Sequence, residues 1–135
     1  MSAEIEEMLY GTLSDDAQLG TLAPGGVWRD LAPSTAEGTL VVFSHVSTND
    51  LYALGHRAVS DCVYQVKAIT PGETSRPSWD AAARIDALLT DAPLTMSAGH
   101  VLSCRRSSVV SLTEIDAGDQ YQHAGGLYAI TIQEQ

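Results

Sequence analysis

Residues 55–70 read GHRAVSDCVYQVKAIT, and their alternation decides the fold class. Cys62, Tyr64, Val66 and Ala68 fall on one face, and Val63, Gln65, Lys67 and Ile69 on the other. Side chains alternate across a strand, so the first face is a nearly unbroken apolar stripe. Gln65 and Lys67 keep the second face partly wet, the mark of a sheet covered on one side.

Working outward, a second strand is predicted over residues 39–47, with the β-forming run Leu40, Val41, Val42 and Phe43. Residues 47–55 lie between the two strands and are polar around Leu51 and Tyr52. That is long for a hairpin turn and predicts a projecting loop. Upstream, Pro24, Gly25 and Gly26 mark a turn, Val27 and Trp28 a short strand, and residues 32–38 a loop. The chain opens on a helix with Ser2 as cap and Glu4, Glu6 and Glu7 near its positive end. Ile5, Met8, Leu9 and Leu13 give that helix its core stripe. Ser14, Asp15 and Asp16 read as a break and a new cap before a short turn that carries Leu19 and stops at Gly20.

Downstream, Pro71, Gly72 and Glu73 stop the sheet. Ser75 or Ser78 is placed to cap the next helix, with Pro77 in its first turn. Ala81, Ala82, Ile85, Leu88, Leu89 and Ala92 form its apolar side, predicted to pack on Tyr64 and Val66. Asp80 and Arg84 are spaced for an i,i+4 ion pair on the other side. A long strand follows over residues 101–115, with alternation that breaks across residues 105–108 and predicts a bulge or an edge. A turn over residues 116–120 precedes a last strand over residues 127–133. The order α-β-β-β-α-β-β, joined by short polar loops, predicts an α+β two-layer sandwich. Its sheet is mostly antiparallel, with two helices on one face, as one domain over residues 1–135.

Composition narrows the function. The net charge is −10, from 17 acids against 7 Lys and Arg. A chain this acidic is poorly suited to grip nucleic acid or an anionic membrane, since that contact relies on cations displacing counterions. No run is apolar enough to span a bilayer, and no basic, apolar leader precedes the fold. The chain is therefore expected in a cytoplasm unless an assembly carries it elsewhere. Cys62 and Cys104 lie in strand-like segments and read as reduced, half-buried thiols, a disulfide between neighbouring strands being the other reading. Trp28 and Trp79 read as core residues.

Catalytic signals are sparse. His45, His56, His100 and His123 lack the HxxxH or HExxH spacing of a zinc site, and the cysteines form no CxxC. A zinc site would require His45, His100 and both cysteines to meet across the sheet. Ser44 and His45 with an acid suggest a triad only on paper, because no GxSxG elbow, Walker loop or GxGxxG is present. Asp116 and Asp119 lack the rest of a calcium loop, and the pairs Gly25-Gly26 and Gly125-Gly126 read as turns. No enzyme activity, metal or cofactor is expected. Arg105-Arg106, the only basic doublet, reads either as a solvated edge paired with acids of its own chain or as a contact to an acidic neighbouring subunit.

Three stretches, with a helix between them, together resemble the tail terminator, or tail-completion, proteins of long-tailed bacteriophages. The stretches are MLYGTLSDDAQLGTL with PGGVW (residues 8–28), LVVFSHVSTNDLYALGHRAVSDCVYQVKAI (40–69) and YQHAGGLYAITIQ (121–133), and the helix is WDAAARIDALL (79–89). The polar insert at residues 32–38 departs from the pattern. The resemblance implies a structural virion protein at the head-proximal end of a phage tail, assembled in the host cytoplasm. It implies a ring, commonly a hexamer, that caps the tail tube, stops its polymerisation and joins it to the head-side connector. Its partners would be further copies, the major tail tube protein and a head-completion protein, with DNA passing through an open channel without specific binding. Candidate contacts for such a ring are Asn49, Asp50, Leu51 and Tyr52 in the first projecting segment, and Tyr121 and His123 in residues 115–125. Arg105 and Arg106 complete the set. The competing reading is a small cytoplasmic α+β domain that binds a ligand or acts as an enzyme, which an apolar pocket with convergent polar groups would favour.

Overall fold

The structure, a computed structural model, describes residues 2–134. Two helices, α1 (Ser2–Ser14) and α2 (Ala17–Leu22), precede strands β1 (Val27–Arg29), β2 (Leu40–Ala53) and β3 (His56–Pro71). Helix α3 (Arg76–Leu89) follows, then β4 (His100–Asp116) and β5 (Asp119–Gln133). One sheet runs β1-β2-β3-β5-β4. Every neighbouring pair is antiparallel except β1 with β2. The α+β two-layer reading holds, with the opening helix resolved into two.

Asp16 is the reason for that division. It sits in extended geometry (φ −82°, ψ 118°), and its carboxylate accepts from the Leu19 amide at 2.8 Å, which caps α2. Arg84 of α3 grips the same carboxylate through Nε at 2.9 Å and Nη2 at 2.7 Å. The guanidinium and the amide hold its pKa down at about 2, against an ordinary 3.8. The expected Asp80–Arg84 pair does not form. Arg76, one turn before Asp80, takes that acid instead at 3.1 Å. Ser75 stands at the cap position of α3 without a side-chain capping bond, and Ser78 Oγ donates to the Ser75 carbonyl at 2.8 Å. The expected Ser2 cap rests on a side chain outside the described ones.

The core lies between the helices and one face of the sheet. Ile5, Leu9 and Leu13 of α1 and Ile85 and Leu89 of α3 join Phe43, Tyr64, Val66, Tyr128 and Ile130 in one buried cluster. The predicted packing of Tyr64 and Val66 against the α3 stripe is therefore present. Both buried phenols find acids: Tyr64 Oη donates to Glu6 at 3.1 Å and Tyr128 Oη to Asp86 at 3.2 Å. Burial, reinforced by those carboxylates, pushes both phenol pKa values up. Trp28 is half-buried, its Nε1 donating to the Gly25 carbonyl at 2.8 Å. Trp79 is not a core residue: it is 41% exposed, because the core face of α3 belongs to Ser78, Ala81, Ala82, Ile85 and Leu89.

Gly125-Gly126 is not a turn either. The pair sits mid-strand in β5, opposite Lys67 and Val66. A Cβ at Gly125 would lie 2.2 Å from the Val66 carbonyl oxygen, so only glycine lets the two strands approach this closely.

Candidate assembly interface

Two hairpins replace the two projecting loops expected from the sequence. In the first, pairing continues from Leu40↔Ile69 out to Ala53↔His56, with register shifts after His45 and after Leu51. Polar strand residues misled the sequence reading, because this ribbon is wet on both faces. Strand β5 reaches β3 only as far as Ser60↔Ile132, so the rungs beyond stand clear of the sheet. The tip turns on Leu54 (φ 52°) and Gly55 (φ 83°), the two left-handed residues of a type I′ turn. Leu54 is fully exposed, Tyr52 is 69% exposed and Leu51 51%. Asn49 is exposed too. Asp50, also exposed, accepts from Ser60 Oγ at 2.6 Å. Arg57 ties the ribbon to Glu134 at the end of β5.

In the second hairpin, Ala117 (φ 52°) and Gly118 (φ 87°) make an equivalent turn between β4 and β5. Ile115 is 72% exposed, Tyr121 half-buried and His123 buried. His123 Nε2 meets Glu114 Oε1 at 2.8 Å, while its Nδ1 has no hydrogen-bond partner among the described residues. His123 is thus no exposed anchor, since the strand pairing that replaced the loop folds it onto the sheet. The expected break at residues 105–108 is a register shift between Arg106 and Ser108. Both arginines meet acids of their own chain, Arg105 with Asp91 at 2.9 Å and Arg106 with Asp86 at 3.7 Å.

Neither the cysteines nor the histidines converge. Cys62 and Cys104 both pair with Ile130, from opposite sides of β5. Two strand spacings put them about 9–10 Å apart, beyond disulfide reach. Burial raises both thiol pKa values, that of Cys104 to about 12 with help from Asp86 and Asp91. His45 lies edge-on to Tyr64 and meets Thr48 Oγ1 at 2.7 Å; that hydroxyl is 3.7 Å from Cys62 Sγ. A protonated thiol is not the nucleophile that a Cys/His site requires. His45 and His100 are separated by β3 and β5, and among the described residues no three candidate ligands gather around a metal position.

An open groove of about 540 Å³ lies between α1 and residues 92–97, lined among others by Met8, Leu88, Leu94, Glu7 and Asp15. A second, of about 320 Å³, lies beneath the first hairpin, where Asp50, Arg57 and Glu134 satisfy one another. His45, Ser60 and Cys62 also line the second, but Ser60 Oγ donates to Asp50, His45 bonds Thr48, and the space is open and largely polar. The first is lined by neither histidine nor cysteine. No described helix is long and apolar enough to cross a membrane. The sequence reading missed Leu54, Leu102, Val109, Leu112 and Ile115, all of them exposed apolar residues in the hairpins. The signal for Leu54 was an apolar residue directly before the turn glycine, where Asn or Asp is usual.

The fold recurs in solved structures. A chain of the virion of a native gene transfer agent particle superposes with a TM-score of 0.80 at 20% identity, over 98% of this chain and 96% of that one. A second solved chain, also 20% identical, superposes at 0.57 over 100% of this chain and 96% of its own. No curated protein matches the chain in sequence. The family model described as tail completion protein gp17 matches residues 7–130. This chain therefore belongs to the tail completion protein gp17 family and is a structural protein of a phage tail.

Proposed function

We propose that this chain forms a ring, hexameric as is common for such proteins, that caps the tail tube at its head-proximal end. The ring stops tube polymerisation, offers a docking surface to the head-side connector and leaves a channel through which DNA passes unbound. Assembly takes place in the host cytoplasm, with the tube protein, the connector protein and further copies as partners. The observation that supports this reading most is the first hairpin. Its tip presents Leu51, Tyr52 and Leu54 to solvent on a two-stranded ribbon. Exposed apolar anchors with a polar neighbour such as Asn49 are the makings of an interface hot spot. The net charge of −10 suits a channel wall that repels the DNA backbone. The test is the double variant Leu51→Ser with Tyr52→Ala. It should melt like the parent yet lower tube capping, seen as overlong or unjoined tails in micrographs. Joined tails of normal length from that variant would remove the hairpin from the interface.

A further inference from the structure

The sheet has two open edges. Strand β1 covers β2 only at Val41, Val42 and Phe43, so among the described residues 44–53 of β2 have no strand on the side away from β3. Strand β4, 17 residues long, has no neighbour beyond it. From the loop that precedes β4, the Asp91 amide donates to the Cys104 carbonyl at 2.9 Å, which leaves residues 105–116 open among the described residues. Soluble proteins usually guard such edges with proline, charged side chains, bulges or brevity. Residues 44–53 and 105–116 contain neither proline nor lysine. Their charges are Asp50, Arg105, Arg106, Glu114 and Asp116, which leaves residues 109–113 uncharged. Their bulges fall at His45/Ser47, Leu51/Tyr52 and Arg106/Ser108.

Apolar exposure concentrates on the same two strands. Val46, Leu51 and Tyr52 of β2 and Leu102, Val109, Leu112 and Ile115 of β4 are seven of the eleven large hydrophobic side chains exposed among the described residues. Direction also matches. Three successive antiparallel pairings separate β2 from β4, so the two edges run opposite ways. Rotation about a ring axis to which the strands are tilted by less than a right angle preserves each strand's sense along that axis. The β4 edge of one copy therefore meets the β2 edge of the next in antiparallel sense. The two open stretches sit at different heights: Ser44 is level with Ser108 through Gln65 and Leu127. Pairing them takes a stagger between copies, the offset that tilted strands of a closed barrel supply.

We propose that neighbouring copies join by antiparallel pairing of the open β4 edge of one with the open β2 edge of the next, so that the sheet continues around the ring. This rests on the ring reading above and names the contact that closes it. The interface is heterologous and consumes both edges when the ring closes, leaving none to recruit a further strand.

Hydrogen exchange on the full chain, free and bound to tail tubes, tests it. Alternate amides along an antiparallel edge point outward. Those in residues 44–53 and 105–116 should exchange at least about tenfold more slowly in the assembled state. A second reading uses Val109→Pro and Val110→Pro, adjacent positions whose amides point to opposite sides of β4. One should destabilise the β5 pairing; the other should melt like the parent and fail to form a ring by light scattering. Rings whose edge amides exchange as fast as in the monomer, or that form from whichever proline variant melts like the parent, overturn edge pairing and leave the ring reading intact. A chain that stays monomeric on capped tubes overturns both.

Discussion

Asp16 joins two helices through one carboxylate. It caps α2, and its ion pair with Arg84 fixes α3 against that helix. Replacing it with alanine removes a cap and a charge-assisted pair, at a cost of about 1–3 kcal/mol. Its depressed pKa also sets a pH dependence. The unfolded chain holds the proton to a higher pH than the folded one, so the stabilisation is complete above the ordinary 3.8 and is lost as pH falls through about 2. Thermal melts between pH 5 and pH 2, described by about that window, should show a steeper loss for the parent than for Asp16→Asn. Parallel curves would mean that the pair contributes nothing. Sequence had marked Asp16 as a cap. It could not show Arg84 reaching it, because the i,i+4 rule offered Asp80 as a nearer acid and only the packed helices bring residues 16 and 84 together.

The first hairpin carries a local conflict. Leu54 occupies a left-handed position at φ 52° with its side chain wholly in water. A β-carbon there costs on the order of 1–2 kcal/mol, and nothing in the monomer returns it. Leu54→Asn, suited to a type I′ turn, should raise the melting temperature or leave it unchanged while lowering tube capping. A variant that caps as well as the parent would reduce Leu54 to an accident of the turn. At this scale the sequence was legible wherever one face was buried. Cys62 to Ala68 and the α3 stripe follow the periods expected for them. The strand over residues 101–115 was read, but the first ribbon and the start of β5 were not, because residues 47–53 and 119–126 carry no alternating burial and their strand character comes from pairing with a neighbour. The Gly125-Gly126 pair misled for a related reason: glycine marks close approach of strands as readily as a turn.

For the whole molecule, two layers bury one face of the sheet and leave the edges and ribbons free, a division that suits a subunit more than a solitary binding domain. The core depends on α3. Leu89→Glu places an unpaired charge in the buried cluster and should abolish soluble expression. A well-folded protein with unchanged melting would refute the packing of α3 on the sheet. The order of elements and the single covered face could be read from apolar periods, and the family from the pattern of its segments. The break at residues 105–108 hinted at a bulge or an edge in β4, but the open side of β2 could not be read, since edge position depends on the order in which strands pair, and β5 inserts between β3 and β4. The central claim, that this chain ends the tail tube, is tested most directly by the distribution of tail lengths in particles assembled without it. The account predicts tubes that grow past the normal length and do not join heads. Tails of normal, uniform length attached to heads would contradict it.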